Sequence, residues 1–266
     1  MDLDVHLDTE QLAQRLAGVG GVVGVCLGGS RARGTHRPDS DYDFGLYYRG
    51  RPDTAALRAL AKELTGAEVD VTEPGAWGPW VDGGAWLTVG GARVDWLYRD
   101  VDRVSRLWED CREGRYEIGT QPGHPLGVYS HSYPGELATG RILADPTGEL
   151  TVLQGDMAHY PAALRKALVD AARWEPDFVL AGAAKGAARG DSFYVAGCLF
   201  RAVGVLAQAL HAQAGSWPVN EKGIIAAAGE LPCAPPDFAA RAHALFTTHD
   251  LKAAAELTED VLTRCA

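Results

Sequence analysis

The chain has 266 residues, room for one large domain or two of ordinary size, and its 47% hydrophobic and 23% charged residues suit a globular protein with a proper core. A formal net charge of −10, with no basic track, disfavours recognition of long DNA or RNA through phosphate. The opening "MDLDVHLDTE" has neither a basic nor an apolar leader region, and no run of about 18 apolar residues offers a membrane span, so no membrane partner is expected. Five scattered cysteines, odd in number and without a CxxC pair, read as buried free thiols in a reducing compartment, and a cytoplasmic location is the expectation.

Taken in chain order, "DTEQLAQRLAGVG" reads as a short amphipathic helix, capped by Asp8 or Thr9 and stopped at Gly18. "GVVGVCLGG" is an apolar run bounded by glycines, the pattern of a buried strand, and "DYDFGLYYR" follows as a second strand. Asp53 or Thr54 opens the next helix, "PDTAALRALAKELTG", and Gly66 closes it; "AEVDVTE" then alternates as a strand. "AWLTVGGARVDWLYRD" is a hairpin whose Gly90-Gly91 suits a primed two-residue turn, and "DVDRVSRLWEDCREG" returns to helix. Residues 115–149, rich in Gly, Pro, Tyr and His, read as a connector with some local structure. From about 150 the chain is alanine-rich helix, punctuated at Pro161, Pro176, Pro218, Pro232 and Pro235, with Asp191 as one N-cap: a bundle of five or six helices. The expected class is α+β, a small mixed sheet in 1–114, a connector in 115–149 and a helical bundle in 150–266.

The chemistry concentrates in "GGSRARGTHRPDSDYDFGLYY", residues 28–48. Asp41 and Asp43 flank Tyr42, and on a strand residues two apart share a face. Two carboxylates so placed repel unless a cation lies between them, and Mg²⁺ takes one or two carboxylates with the rest of its shell from water and phosphate. The upstream Gly28-Gly29-Ser30 lets backbone N–H groups and a hydroxyl approach phosphate oxygens. Asp95 is a charge inside the apolar hairpin strand "ARVDWLYRD"; beside the first strand it completes a triad that can hold metal and take a proton from an attacking hydroxyl, and otherwise it pairs with Arg93 or Arg99.

These residues together resemble the DNA polymerase β-type nucleotidyltransferase superfamily: a Gly-Gly-Ser turn, Asp-x-Asp, then a third Asp on a following strand. The layout is nearest to the antibiotic nucleotidyltransferases of the aminoglycoside and lincosamide types, which also place helices after the catalytic sheet. "ARGDSFYVAGCLFR" and "NEKG" resemble stretches of related bacterial proteins of poorly defined substrate. The resemblance implies transfer of a nucleoside monophosphate to a hydroxyl with release of pyrophosphate and two Mg²⁺ ions. It assigns catalysis and metal binding to Asp41, Asp43 and Asp95, and triphosphate binding to Gly29, Ser30 and Arg33, with ATP as the expected donor and a small hydroxylated molecule as acceptor. No acid matches the aminoglycoside enzymes' substrate-binding glutamate, which leaves the acceptor open. Lys222 in "NEKG" either reaches the triphosphate or belongs to a capped helix start. His36 reads as a solvated loop residue. Trp77, Trp80, Trp86, Trp96 and Trp108 read mostly as core or hairpin packing, with lining of a substrate cleft as the alternative for Trp77 and Trp80 in "EPGAWGPWVDGG". Two other readings use the same residues, modification of a hydroxyl on a partner protein and a nucleotide-binding module without catalysis.

Overall fold

The computed structural model describes residues 7–265; the acidic residues 1–6 lie outside the described residues. The architecture is α+β, a mixed sheet followed by helices. Asp8 caps α1 (Thr9–Ala17) by accepting from Gln11 N, and Gly18 ends it. β1 (Val22–Leu27) leads through the single turn α2 (Gly29–Ala32) into β2 (Tyr42–Tyr48). α3 (Thr54–Thr65), capped by Asp53 and stopped by Gly66, then crosses over so that β4 (Ala92–Asp100) returns parallel to β2. β3 (Gly84–Val89) pairs antiparallel with β4 through a Gly90-Gly91 turn whose φ angles are 57° and 89°, the positive pair that a primed turn requires.

The chain forms two compact units that interleave. The first takes the chain up to Glu109, Ile118–Gly123 and Tyr133–Ala158; the second takes Asp110–Glu117, His124–Ser132 and the chain from His159 onward. Residues 115–149 are shared between them and hold β5 (Ile118–Gln121), β6 (His124–Tyr129), α5 (Ser132–Thr139) and β7 (Arg141–Ala144). β7 pairs with β1 and completes a five-stranded sheet in the order β3-β4-β2-β1-β7.

One face of that sheet is the core of the first unit. Phe44 and Leu46 from β2, Val94, Trp96 and Tyr98 from β4, and Ala85 and Leu87 from β3 are buried against Leu12 and Leu16 of α1 and Leu57 and Leu60 of α3. Each fully buried large apolar side chain contributes roughly 1.5–3 kcal/mol. The alternate residues face the other way, and they carry the chemistry described below.

The alternating stretch 67–73 is not a strand. Its backbone groups find other partners: Arg58 donates to Val71 O at 3.0 Å, Tyr98 OH to Thr72 O at 3.0 Å, and Thr72 N reaches only Gly84 O, at 2.9 Å. With its carbonyls taken by side chains, the segment has no ladder to join.

In the second unit α7 (Ala162–Ala187) and α8 (Ser192–Gln213) pack along their length, with α9 (Ile224–Gly229), α10 (Phe238–Thr248) and α11 (Leu251–Arg264) around them; α4 (Val101–Arg112) ends in this unit and α6 (Glu149–Asp156) belongs to the first. Pro176, expected to break a helix, lies inside α7, buried. It forfeits one backbone hydrogen bond, and the apolar face packed on α8 keeps the helix whole. α8 also departs from the sequence expectation: it is long and apolar enough to cross a membrane, with a mean hydropathy of 1.6 over its most apolar stretch, yet 67% of that stretch is buried inside the fold, as suits the central helix of a core. Cys26, Cys111, Cys198 and Cys265 are buried and Cys233 half-buried, all as free thiols.

Candidate functional site

The turn after β1 is built around one contact. Gly28 N donates to Asp43 O at 2.7 Å, which extends the β1–β2 ladder and brings the turn against the carboxylate. Gly29 follows at φ 62°, and a Cβ added there would overlap Asp43 Oδ2, so this position requires glycine both for its conformation and for its space. Ala32 N makes the first bond of α2, to Gly28 O at 3.2 Å; the N–H groups of Gly29, Ser30 and Arg31 precede it and have no partner within the helix. Arg31 ties down the loop that follows. It donates to Ser40 O at 2.7 Å and Asp41 O at 3.2 Å, and its guanidinium lies 3.7 Å from the centre of the Tyr42 ring. The backbone that aims Asp41 and Asp43 is thereby fixed from upstream.

Asp43 of β2 stands directly opposite Asp95 of β4 in the parallel register, and cross-strand neighbours share a face. Asp41, just ahead of β2, has the same parity. Burial raises the Asp43 pKa, the charges of Asp41 and Glu136 raise it further, and Arg33 and Arg99 oppose them. Asp43 is therefore a carboxylate under electrostatic pressure that a cation would relieve. Asp41 Oδ1 is buried and receives no hydrogen bond; Arg93 Nε comes within 2.5 Å of it as an ion contact out of line for one. The guanidinium and the carboxylate both reach solvent, so this pair is worth about 1 kcal/mol or less and offers little resistance to a competing cation.

Among the described residues no three His, Cys, Asp or Glu side chains are gathered closely enough to enclose a metal ion. Arg93 pairs with Asp41. The donor set nevertheless suits a hard divalent ion: all-oxygen ligands, one of them a buried oxygen without a hydrogen bond, another kept protonation-prone by burial and by its acidic neighbours.

Arg33 is exposed at the end of α2, and its charge is felt at Asp43. His36 is exposed in the loop. Lys222 lies in the second unit, exposed in the turn before α9, where its N–H donates to Asn220 Oδ1 at 2.8 Å; the neighbouring Glu221 accepts from Leu126 N at 2.8 Å. Arg93 contacts Asp41, and Arg99 contacts Glu136.

Glu136 of α5 was not legible from the sequence. Arg99, buried on the same sheet face as Asp43 and Asp95, grips it with both guanidinium edges, one of them at 2.8 Å, and lies 5.2 Å from the Tyr133 ring. The pair brings a fourth carboxylate within electrostatic reach of Asp43. Its sequence signal was Arg99 itself, a cation near the end of β4 that burial obliges to find an acidic partner.

Residues 10–77 match the model of the nucleotidyltransferase domain, a span that includes the Gly28–Ser30 turn, Asp41 and Asp43 and ends before Asp95. No curated protein matches the chain. Among solved structures, a nucleotidyltransferase-like protein from Exiguobacterium sibiricum 255-15 is similar over 96% of this chain and 73% of its own, at 14% identity and a TM-score of 0.45.

Proposed function

From the nucleotidyltransferase domain that residues 10–77 carry, we propose that this chain transfers a nucleoside monophosphate, AMP from ATP, to a hydroxyl of a small molecule and releases pyrophosphate. The observation that carries this reading is the register of Asp43 beside Asp95, with the Gly28–Ser30 turn pressed against Asp43.

The free N–H groups at the start of α2, the Ser30 hydroxyl and the Arg33 charge would take the β- and γ-phosphates. Asp41, Asp43 and Asp95 would hold two Mg²⁺ ions. Bound there, Mg²⁺ supplies positive charge against the phosphates and the developing charge of the reaction. Asp95 orients the acceptor hydroxyl and accepts its proton. The acceptor oxygen forms a bond to the α-phosphorus as the bond from that phosphorus to the bridging oxygen breaks, and the electron pair leaves with pyrophosphate. Arg99, locked to Glu136, keeps that face from accumulating more negative charge than the ions can offset.

The test is incubation with ATP radiolabelled at the α-phosphorus, with and without Mg²⁺, in the presence of pooled small alcohols and antibiotics, purified protein substrates and tRNA. Label in a small product, dependent on Mg²⁺ and lost in Asp43→Asn, is the expected result. Label in protein or RNA overturns the choice of acceptor, and failure to bind Mg²⁺-ATP by calorimetry overturns the reading as a whole. Lys222→Met in the same assay tests the expected phosphate contact of that residue.

A further inference from the structure

Sheet order and register place an aromatic surface beside the carboxylates. At one level across the sheet stand the Gly28–Ser30 turn following β1, Asp43 on β2, Asp95 on β4 and Trp86 on β3. Residues opposite one another share a face, so Trp86 lies on the carboxylate face, two strand spacings or about 10 Å from Asp43. The hairpin reading expected this indole to pack; it is 65% exposed, while its neighbours Ala85 and Leu87 are buried.

Trp86 does not stand alone. Trp77 stacks on it, with ring centroids 4.2 Å apart and planes 11° from parallel. The loop that delivers Trp77 is fastened on several sides. Asp82, held at φ 72°, accepts from Tyr48 OH at 2.9 Å and from Gly75 N at 2.7 Å. Trp77 N donates to Asp82 O at 3.0 Å, and Trp77 O accepts from the buried Gln121 at 2.6 Å. Tyr133 OH anchors Trp80 O at 2.6 Å. A loop braced this thoroughly spends its bonds on holding a half-buried Trp77 against a Trp86 that stays open to solvent, where a purely structural indole would be buried.

In displacement at the α-phosphorus the hydroxyl enters opposite the departing pyrophosphate. The phosphate-holding turn lies on the β1 side of Asp43, so the hydroxyl enters from the β4–β3 side. We infer that the Trp77–Trp86 pair is the acceptor platform, and that the acceptor is a ring-bearing alcohol whose flat face lies on the indole with its hydroxyl toward Asp95. The inference rests on the nucleotidyl-transfer reading above.

Three probes test it: methyl glucoside, 2-phenylethanol and acyclic glycerol. Each is titrated into the full chain by indole fluorescence without nucleotide, and each is offered as acceptor with labelled ATP. The two rings, not glycerol, should change the fluorescence, and the change should vanish in Trp86→Ala. In the transfer assay Trp86→Ala should lower transfer to a ring alcohol at least tenfold more than transfer to glycerol, with Mg²⁺-ATP affinity within twofold of wild type and Trp86→Phe restoring most of the loss. Rings that leave the indoles unperturbed, or losses equal for ring and acyclic alcohols, overturn the platform. Ring binding that depends on Trp86 in a protein that transfers nothing keeps the platform and overturns nucleotidyl transfer instead. Which of the two rings binds more tightly separates a sugar from an aromatic acceptor.

Discussion

The two units spend their interactions differently. In the helical unit α7 and α8 meet through Ala172, Ala183 and Ala202, with Val195, Leu199 and Leu206 filling the seam; a side chain at Gly182 or Gly186 would press on Tyr194. Its apolar contacts are continuous, and the polar side chains buried among them, Ser130, His131, Gln208, His211 and Thr258, include no carboxylate, lysine or arginine. The sheet unit has an apolar core on one face, but its other face carries Asp43 and Asp95 side by side, feels the charges of Asp41 and Glu136 at Asp43, and leaves Trp86 in solvent. Stability concentrates where like meets like, and chemistry where the fold tolerates unrelieved charge for a ligand to relieve.

The sharpest way to break this contrast is to neutralise the charged face. Asp43→Asn should lower transfer about a thousandfold, the equivalent of about 4 kcal/mol of lost charge stabilisation, measured as labelled product per minute. Gly29→Ala comes next: its Cβ must push the Asp43 carboxylate aside and its backbone resists φ 62°, and a displacement of about 1 Å costs about a hundredfold in rate. Circular dichroism should show the variant folded.

In the helical unit the corresponding experiment reads stability. Leu199→Ala, at a fully buried position, should cost about 2–5 kcal/mol in urea unfolding, whereas Phe178→Ser, 72% exposed on α7, should stay within about 0.5 kcal/mol.

Smaller effects come from pH, with opposite signs in the two units. The raised pKa of Asp43 means the folded state holds that proton more tightly than the unfolded chain, so ionisation costs stability above the folded pKa and nothing below the ordinary aspartate value. Metal-free Asp43→Asn should therefore melt higher than wild type at pH 7, the gap closing as pH falls toward about 4. A variant that gains nothing at pH 7 would show that Asp43 is not under pressure. His131 behaves the other way. It is fully buried among Tyr116, Tyr129 and Trp217, neither ring nitrogen makes a well-formed hydrogen bond, and burial pushes its pKa down to about 4, helped by the charge of His211 and opposed by weak polar contacts with the backbone and Gln208. The unfolded histidine protonates near the ordinary value of about 6.5, so stability is intact above that pH and is lost progressively between about 6.5 and 4. His131→Phe should flatten that part of the melting-temperature curve; an unchanged slope would assign the acid sensitivity elsewhere.

Much of this protein was written locally. Asp8, Asp53 and Asp191 cap the helices their sequence positions indicated, and Gly90-Gly91 turns the hairpin as expected, because capping and turn chemistry involve residues a few places apart. The Asp41–Asp43 spacing and the preceding glycines were legible for the same reason, since a period of two fixes a common face before any partner strand is known. What failed locally failed where distant groups intervened: stretch 67–73 has the alternation of a strand, but Arg58 and Tyr98 take its carbonyls, and α7 runs through Pro176 because α8 supports it.

By itself, then, the sequence determined most of the helices and strands up to residue 114, several helix caps and the shared face of Asp41 and Asp43. Only the tertiary structure decided that β4 lies parallel to β2 in the register that sets Asp95 beside Asp43, that β7 returns to the sheet, that Arg99 draws Glu136 toward the site, and that Trp77 lies on Trp86. The physical reason is range. Caps and turns are settled by hydrogen bonds within a single turn of chain, whereas strand order and register are settled by which buried faces fit together after the loops between them have closed.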